Sequence, residues 1–562
     1  MRPFRYTRLL PAIVMACVVP GATLAGPKTA AKPADIPHLE SHGTARQLIV
    51  GGKPFLILGG ELSNSSASSL DYLQGTWPVL TAAGLNTVIA PVEWDQVEPN
   101  EGTYDFTVLD GMIKQAQTHH MHLVLLWFGA WKNSMSTYVP AYVKHDYAKY
   151  AKAQDDKGQP QDILSAFDPD TLAADSRAFA TLLDHLRTSD TQRTVVMVQV
   201  ENEIGMLPVV RDYGPQAQAA FDGPVPPALI DYLKAHHDSL NPYVRSLWEG
   251  HGTKDSGTWA QVFGTSTEAQ EVFQAWYYAD FTTHLARAGK VAYPLPMYVN
   301  AALIRPGKTP GQYPSAGPLP HLFDVWKAGA PDLDLLAIDM YFPNFTAWAD
   351  QFKRPDNAFF IPEANQAGKP EAGAHAFYVA GQLDGIGFSP FAIDKLTPDV
   401  SGNLTSAYDV LKQLTPEILA AQGMDKMRGF TPRVSFDGIV DDAPQSFVLG
   451  GYRFTVAFID PWTPKDKQTT AANGGLIIQT GDNDFTVAGQ GIVVTFEDAS
   501  SSEGRGGEKK AVGIEKIVEG SYVDGTWKPG RWLNGDESHQ GRHLRIPAGN
   551  FGIQKLTLYR YQ

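Results

Sequence analysis

Eight short apolar runs, rich in Val, Ile, Leu and Phe, recur between residues 55 and 394, and segments with helical periodicity separate most of them. Each run is almost continuously apolar, which is typical of strands that are buried on both faces. This pattern predicts an α/β fold in which eight parallel strands and their helices form a (β/α)8 TIM barrel. The predicted strands lie at residues 55–60, 87–94, 122–129, 195–203, 297–303, 333–342, 358–365 and 385–394.

Between these strands the sequence predicts helices, and one of them carries a clear start signal. Asp168 can cap a helix amino terminus, and Pro169 suits the first helical position. The predicted helices cover residues 70–83, 106–118, 169–188, 227–237, 267–288 and 374–384.

The pattern changes near residue 425, where short β-like runs alternate with turns that contain Gly, Asn and Asp. Such spacing is typical of an antiparallel sandwich or barrel. We therefore expect a catalytic barrel over residues 39–424 and an all-β, sandwich-like domain over residues 425–562.

The amino terminus has the features of a secretory signal peptide. Three arginines precede an apolar run from Leu9 to Val19, and small residues follow at 22–26. We expect residues 1–25 to be removed and residues 26–38 to be a linker, which predicts a periplasmic or secreted protein. Lipoprotein anchoring through Cys17 is the alternative. No later segment is long and apolar enough to span a bilayer, so the mature form is not expected in the membrane.

Composition excludes several classes of function. Lys and Arg number 46 against 60 Asp and Glu, and the resulting net charge of −14 disfavours nucleic-acid binding. One cysteine in 562 residues excludes a disulfide framework and cysteine-rich metal sites. The adjacent histidine pairs at 119–120 and 236–237 match no metal-binding spacing, so we expect no metal or cofactor. A monomer or homodimer is expected.

Two glutamates stand where barrel chemistry is found. Glu203 is the last residue of the fourth predicted strand, and Glu363 lies near the end of the seventh. Active sites of such barrels lie at the carboxyl ends of the strands, and these two strands are expected to face each other across the mouth. Two carboxylates about 5–5.5 Å apart are what a retaining glycosidase requires.

Other polar and aromatic residues at the predicted strand ends are candidate walls of a sugar site. Tyr341 is the strongest, because a hydroxyl at the mouth can hold the carboxylate of Glu363. For the tryptophans, core packing is an equally good interpretation. Glu201 either contacts substrate or points away, since strand side chains alternate in direction. The remaining candidates are Glu61, Glu93, Trp94, Trp127 and Trp131.

Two motifs resemble those of a known enzyme family. Residues 198–205 (VQVENEIG) are similar to the signature of family 35 glycoside hydrolases of clan A, which are predominantly β-galactosidases. Residues 94–106 resemble the W-x-x-x-E-P and G-x-Y-D-F segment that families 35 and 42 share. The resemblance implies that Glu203 is the acid/base, that Asn202 hydrogen-bonds the sugar 2-hydroxyl and that Glu363 is the nucleophile.

The third strand departs from the family pattern. It ends LWFGAWKN at residues 126–133, without the acidic residue that animal and plant members carry beside glycines. This is similar to a bacterial branch that has a C-terminal β-domain and includes enzymes that trim xyloglucan side chains.

Together these features lead us to expect a retaining exo-β-galactosidase. Its oligosaccharide substrates would carry terminal β-D-galactosyl residues, be derived from plants and include xyloglucan side chains, and hydrolysis would proceed by double displacement. Another clan A β-glycosidase, such as an arabinopyranosidase or a glucosidase, is the nearest alternative. A non-catalytic carbohydrate-binding protein is an alternative from a different class.

Overall fold

The computed structural model describes residue 1 and residues 36–365, 367–397, 402–499 and 510–562. Apart from Met1, the predicted signal peptide with Cys17 lies outside the described residues, as does the linker up to residue 35.

A closed barrel of eight parallel strands is the centre of the fold. Around the barrel the order is β4-β5-β6-β9-β10-β11-β12-β13, and β13 pairs with β4 to close it. The predicted TIM barrel is confirmed, and the second strand, for example, begins at the predicted residue. In chain order the first strands are β1 (His38–His42), β2 (Ala45–Val50), β3 (Lys53–Phe55), β4 (Ile57–Glu61), β5 (Thr87–Glu93), β6 (His122–Lys132), β7 (Lys152–Gln154), β8 (Pro160–Leu164), β9 (Val195–Asn202), β10 (Met297–Ala301), β11 (Leu335–Met340), β12 (Phe360–Ala364) and β13 (Gly387–Pro390).

A small antiparallel sheet of β1, β2 and β3 closes the amino end of the barrel. Leu48 of this sheet packs in one apolar cluster with Ile57, Ile89 and Leu335, which come from barrel strands. Because that end is filled by side chains, access to the barrel is left at the carboxyl ends of the strands.

Helices surround the barrel. Asp168 caps α6 by accepting a hydrogen bond from the Thr171 N–H at 3.2 Å, and Pro169 is the first helical residue, as predicted. The helix predicted over 70–83 is instead two short helices, because the chain turns at Gly75 and Thr76. The helices are α1 (Leu70–Gln74), α2 (Trp77–Ala82), α3 (Trp94–Val97), α4 (Thr107–Thr118), α5 (Ala141–His145), α6 (Pro169–Ser189), α7 (Pro215–Asp222), α8 (Pro227–Ala235), α9 (Pro242–Gly250), α10 (Trp259–Val262), α11 (Thr267–Ala292), α12 (Phe323–Gly329), α13 (Phe345–Phe352), α14 (Ala372–Gln382) and α15 (Gly402–Ala421).

None of the helices in the described part of the chain has the length and apolar character that crossing a bilayer requires.

After α15 the chain forms antiparallel sheets, one of six strands (β14-β19-β20-β25-β22-β23) and one of four (β17-β18-β21-β24). Side chains from both sheets share one apolar core that includes Phe454, Phe485 and Leu556, as in a β-sandwich. The strands are β14 (Met427–Phe430), β15 (Arg433–Val434), β16 (Val440–Asp441), β17 (Gln445–Leu449), β18 (Tyr452–Ala457), β19 (Gly474–Gln479), β20 (Asp484–Gln490), β21 (Ile492–Asp498), β22 (Ala511–Val523), β23 (Thr526–Leu533), β24 (Leu544–Ile546) and β25 (Gly552–Tyr561).

The six-stranded sheet packs directly on barrel helix α14. At Gly429 of β14 a Cβ atom would lie 2.7 Å from the Gln382 backbone nitrogen, so only glycine permits this approach. The hairpin of β15 and β16 pairs outside both sheets, and its Phe436 contacts the barrel residue Phe342. The C-terminal region therefore contacts the barrel at its helical surface and beside its mouth.

Candidate active site

The end of strand β9 has an unusual backbone. Glu201 has φ +60° and Glu203 has φ +45°, a left-handed region that non-glycine residues seldom occupy. Two hydrogen bonds hold Glu203 there: its N–H donates to Asn300 Oδ1 at 2.9 Å, and Ser134 Oγ donates to its carbonyl at 2.9 Å. Strained residues cluster at functional sites where neighbouring groups fix them, and here the neighbours fix the direction of the Glu203 side chain.

Four carboxyl groups from four strands meet at the carboxyl end of the barrel. Glu203 and Glu363 are 8 % and 7 % exposed, and Glu61 and Asp339 are 1 % exposed. Asp339 of β11 is the direct ladder partner of Glu363 on β12. We call Glu61, Glu203, Asp339 and Glu363 the carboxyl cluster.

Burial and mutual repulsion raise the pKa values within the cluster. Burial and the negative charge of Glu363 raise the pKa of Glu203 to about 7, against the opposing effects of Lys132 and a hydrogen bond with Asp339. Burial and the charge of Glu363 also raise the pKa of Glu61 and of Asp339 well above their usual range. Glu61 and Asp339 therefore favour their neutral forms more strongly than ordinary carboxyl groups do, and Glu203, with a pKa of about 7, titrates near neutral pH.

Glu363 receives hydrogen bonds from two neighbours. The hydroxyl group of Tyr341, the residue after β11, donates a hydrogen bond to Glu363 Oε1. Glu61 shares a hydrogen bond with the same carboxyl group. These two hydrogen bonds hold the Glu363 carboxyl group in place at the mouth.

Buried amides connect the two sides of the cluster. Asn202 Oδ1 accepts hydrogen bonds from Gln199 at 3.1 Å and from Asn300 at 3.4 Å. Asn300 Nδ2 also donates to Asp339 Oδ2 at 2.5 Å. Asn300 and Asp339 were missed by the sequence analysis, although each is a polar residue within an apolar run, and that was the available signal.

Lys132 ends strand β6, opposite Asn202 in the ladder, and is 6 % exposed. Its Nζ lies 4.7 Å from the centroid of the Phe128 ring, which belongs to the core inside the barrel. The positive charge lowers the pKa values of Glu61, Glu203 and Asp339, in opposition to burial. Lys132 thus offsets part of the negative charge of the cluster, a role that its position in the sequence did not predict.

The prediction that three tryptophans form walls of the sugar site is wrong. Trp94, Trp127 and Trp131 are fully buried. Trp94 donates to Glu98 at 2.8 Å and Trp127 donates to Asp175 at 2.8 Å. Trp131 packs edge-on to helix α11, with its ring centroid 4.6 Å from that of Phe281. The three rings therefore fill the layer between strands and helices, which was the core-packing alternative.

Glu93 does not join the carboxyl cluster. Its carboxylate accepts a hydrogen bond from Gln96, and burial and the charge of Asp95 raise its pKa. These contacts therefore do not support the prediction that Glu93 is part of the sugar site.

Glu201 points away from the mouth. It accepts hydrogen bonds from the backbone N–H groups of Ala130 at 3.2 Å and Trp131 at 2.8 Å, and it hydrogen-bonds Asp175 on helix α6. Burial raises the pKa of both acids, that of Asp175 to about 6. Of the two alternatives for Glu201, the structure shows the one in which it anchors the end of β6.

No group of three or more His, Cys, Asp or Glu side chains in the described ranges is arranged to hold a metal ion.

Comparison with known proteins gives two family matches. Residues 72–281, which include Glu203 but end before Glu363, match the β-galactosidase model of glycoside hydrolase family 42. Residues 404–545 match a domain of unknown function, DUF5597. No curated protein matches the chain. Since the matching model is that of family 42, the narrower resemblance to family 35 stays a prediction.

Solved β-galactosidase structures are similar to the chain, and it spans about three fifths of their length. The enzyme of Bacillus circulans sp. alkalophilus is 15% identical, with a TM-score of 0.44, over 65% of this chain and 57% of that one. The cold-adapted enzyme of Rahnella sp. R3 is 16% identical, with a TM-score of 0.45, over 68% and 58%. That of the psychrophilic Marinomonas ef1 is 13% identical, with a TM-score of 0.44, over 67% and 62%.

The family match covers the segment that contains α2 to α6, β9 and Glu203, and the barrel supplies the carboxyl cluster at its mouth. Over residues 72–281 the chain is therefore similar to the β-galactosidases of glycoside hydrolase family 42.

Proposed function

We propose that the protein is a retaining exo-β-galactosidase in which Glu203 is the acid/base and Glu363 is the nucleophile. The observation that carries this proposal is the different state of two carboxyl groups at one barrel mouth. The pKa of Glu203 is raised to about 7, whereas Glu363 accepts a hydrogen bond from the hydroxyl group of Tyr341. Two carboxyl groups whose environments differ in this way are suited to opposite roles in acid–base chemistry.

In the first step Glu363 attacks the anomeric carbon of the terminal galactose while Glu203 donates its proton to the leaving oxygen. The bond to the leaving group breaks, and a galactosyl ester with Glu363 forms. Asp339 and Asn300 hold Glu203 in place during this transfer, through its side chain and its backbone N–H respectively.

In the second step Glu203 removes a proton from water, which attacks the ester and releases galactose with retained configuration. The charge of Glu363 is one cause of the raised pKa of Glu203, and ester formation removes that charge. The pKa of Glu203 then falls, so that the same group changes from an acid to a base.

An exo mode of action is supported by the low exposure of the reacting groups. With Glu203 and Glu363 only 8 % and 7 % exposed, a substrate has to insert a terminal residue rather than lie across an open groove. We also propose that Asn202, which is buried, hydrogen-bonds the 2-hydroxyl of the inserted sugar.

We further propose that the substrates are plant oligosaccharides with β-galactosyl ends, including xyloglucan side chains, and that the protein is exported. The support for export is the arginine-flanked apolar run at residues 2–25. Mass spectrometry of the protein from its native host tests this point: a mature chain that starts near residue 26 is expected, and an intact Met1 would contradict it.

The activity is tested with 4-nitrophenyl β-D-galactoside on wild type, Glu203→Gln and Glu363→Gln, with the exposed Glu249→Gln as a matched control. We expect near-complete loss with Glu363→Gln, a loss of about 10²- to 10⁴-fold with Glu203→Gln, and no change in the control. Full activity of either cluster variant would contradict the assigned roles.

Specificity and stereochemistry need separate measurements. A panel of 4-nitrophenyl β-glycosides should show the highest kcat/KM for galactoside, and preference for the arabinopyranoside or the glucoside would support the alternative instead. Proton NMR should show β-galactose as the first product, because two inversions at one carbon restore its configuration. An initial α-anomer would contradict double displacement.

A further inference from the structure

Directly after Tyr341 the chain carries a half-buried aromatic ring that is held between two other side chains. The ring of Phe342 meets that of Phe436 edge-on, with centroids 5.3 Å apart and an interplanar angle of 78°. The guanidinium of Arg305 lies 5.6 Å from the Phe342 centroid. We call these three residues the mouth wall.

Two residues of the mouth wall follow strands β10 and β11, which come next after β9 and its acid, Glu203, around the barrel. Arg305 follows strand β10, and β10 lies between β9, which carries Glu203, and β11, which leads to Tyr341. A general acid stands beside the leaving oxygen, so the leaving group has to extend from the cluster on this side.

One part of the wall comes from the C-terminal region. Phe436 lies in the turn between β15 and β16, which is closed by a hydrogen bond from the Ser435 N–H to the Ile439 carbonyl at 2.9 Å. The Ile439 N–H also donates to Ser435 Oγ at 3.1 Å. These bonds order the turn, and Phe436 within it contacts Phe342, the residue after Tyr341.

We propose that the mouth wall is the subsite for the leaving sugar, so that the hairpin of the C-terminal region determines which oligosaccharides are cut. This inference rests on the proposed function, because it assigns the leaving-group side from the role of Glu203. Aromatic rings offer an apolar face to the C–H side of a pyranose, and few polar groups suffice to orient a ligand on such a surface.

Arg305 supplies the polar component. Its side chain is exposed, and its guanidinium has no hydrogen-bond or ion-pair partner within the described ranges. Five N–H donors in a fixed plane are thus available to sugar hydroxyls.

A polar cleft of about 380 Å³ adjoins the same hairpin. It is lined by Arg433, which begins β15, together with Thr346, Asp350, Tyr378 and Gln445. Thr346 lies in the first turn of α13, shortly after Phe342 in the chain. The hairpin of β15 and β16 therefore contributes to both sites, with Phe436 in the mouth wall and Arg433 in the lining of this cleft.

The test compares substrates with and without a leaving sugar. kcat/KM is measured for β-D-galactosyl fluoride and for the best galactosylated oligosaccharide of the wild type, using Phe436→Ala and Arg305→Ala. Trp532→Ala is the control, because it removes an exposed aromatic ring from β23, which lies at the edge of the six-stranded sheet. We expect each wall variant to lose about tenfold with the oligosaccharide and less than about twofold with the fluoride, and the control to change neither.

Equal losses on both substrates, or no loss on either, would overturn the assignment of the wall. Because Arg305 is exposed, its variant should fold even if Phe436→Ala lowers the melting temperature. A wild type that does not hydrolyse the fluoride would instead overturn the proposed function and this inference with it. The two failures are therefore distinguishable in one experiment.

Discussion

The protonation of Glu203 sets the pH range in which the protein should work. With a pKa of about 7, about half of Glu203 is protonated at pH 7 and about one part in eleven at pH 8. A glutamate with an ordinary pKa would be only about one part in 500 protonated at pH 7. Burial and the charge of Glu363 therefore increase the acid form by about two orders of magnitude at neutral pH.

We predict that kcat/KM for 4-nitrophenyl β-D-galactoside falls about tenfold for each pH unit above about 7, because kcat/KM follows the free enzyme's acid. In Glu203→Gln this descending limb should disappear. With 2,4-dinitrophenyl β-D-galactoside, whose leaving group needs little protonation, the variant should lose much less in its first step. Glu249→Gln should retain the wild-type profile.

The assay is a series of initial rates between pH 5 and pH 9, each followed by a return to pH 7 to exclude inactivation. A descending limb that begins above about pH 9 would refute the assignment of a raised pKa to the acid. A limb near pH 7 that persists unchanged in Glu203→Gln would show that another group is responsible.

Three further predictions follow from the contacts of the site and of the layer around it. Tyr341→Phe removes a hydrogen bond to Glu363 that should contribute about 1.5–3 kcal/mol, so kcat/KM should fall about 10- to 150-fold; an unchanged value would contradict this role. Trp127→Ala should lower the free energy of unfolding by about 3–5 kcal/mol in urea while KM stays within about twofold, whereas a large rise in KM at unchanged stability would support the sugar-wall interpretation. The raised pKa of Asp175, about 6, means that the folded state binds a proton which the unfolded state releases, so the contribution of Asp175 to stability is present below about pH 4 and is lost as the pH rises through about 6. Denaturation between pH 4 and pH 8 should show a smaller loss of stability with rising pH in Asp175→Asn than in wild type, and an equal or steeper loss would contradict the linkage.

The strands were predictable because strands buried on both faces leave continuous apolar runs in the sequence. The run at 195–203 corresponds to β9 (Val195–Asn202), and the run at 358–365 contains β12 (Phe360–Ala364). Less was predictable for the helices, since helical periodicity does not register a turn such as that at Gly75. A continuous apolar run reveals a buried strand, but it does not show which of its side chains point into the barrel.

The tryptophans illustrate this limit. Trp127 faces helix α6, where it donates to Asp175, and its neighbour Phe128 belongs to the core inside the barrel. Because both faces of β6 are apolar, its sequence has no alternation of polar and apolar residues. Such an alternation would have shown which side chains face the barrel interior and which face the helices. The sugar-wall prediction therefore failed because it gave the side chains of the tryptophans the wrong direction.

The sequence by itself determined the barrel and the two glutamates that end its fourth and seventh strands, because both depend on local patterns. Only the tertiary structure decided which groups surround them. Asp339, Asn300 and Lys132 reach the site through strand register and barrel closure, and Phe436 reaches the mouth through a hairpin almost a hundred residues after Phe342 in the chain. Such contacts join residues far apart in sequence, and their energies depend on burial and on neighbouring charges that exist only once the chain has folded.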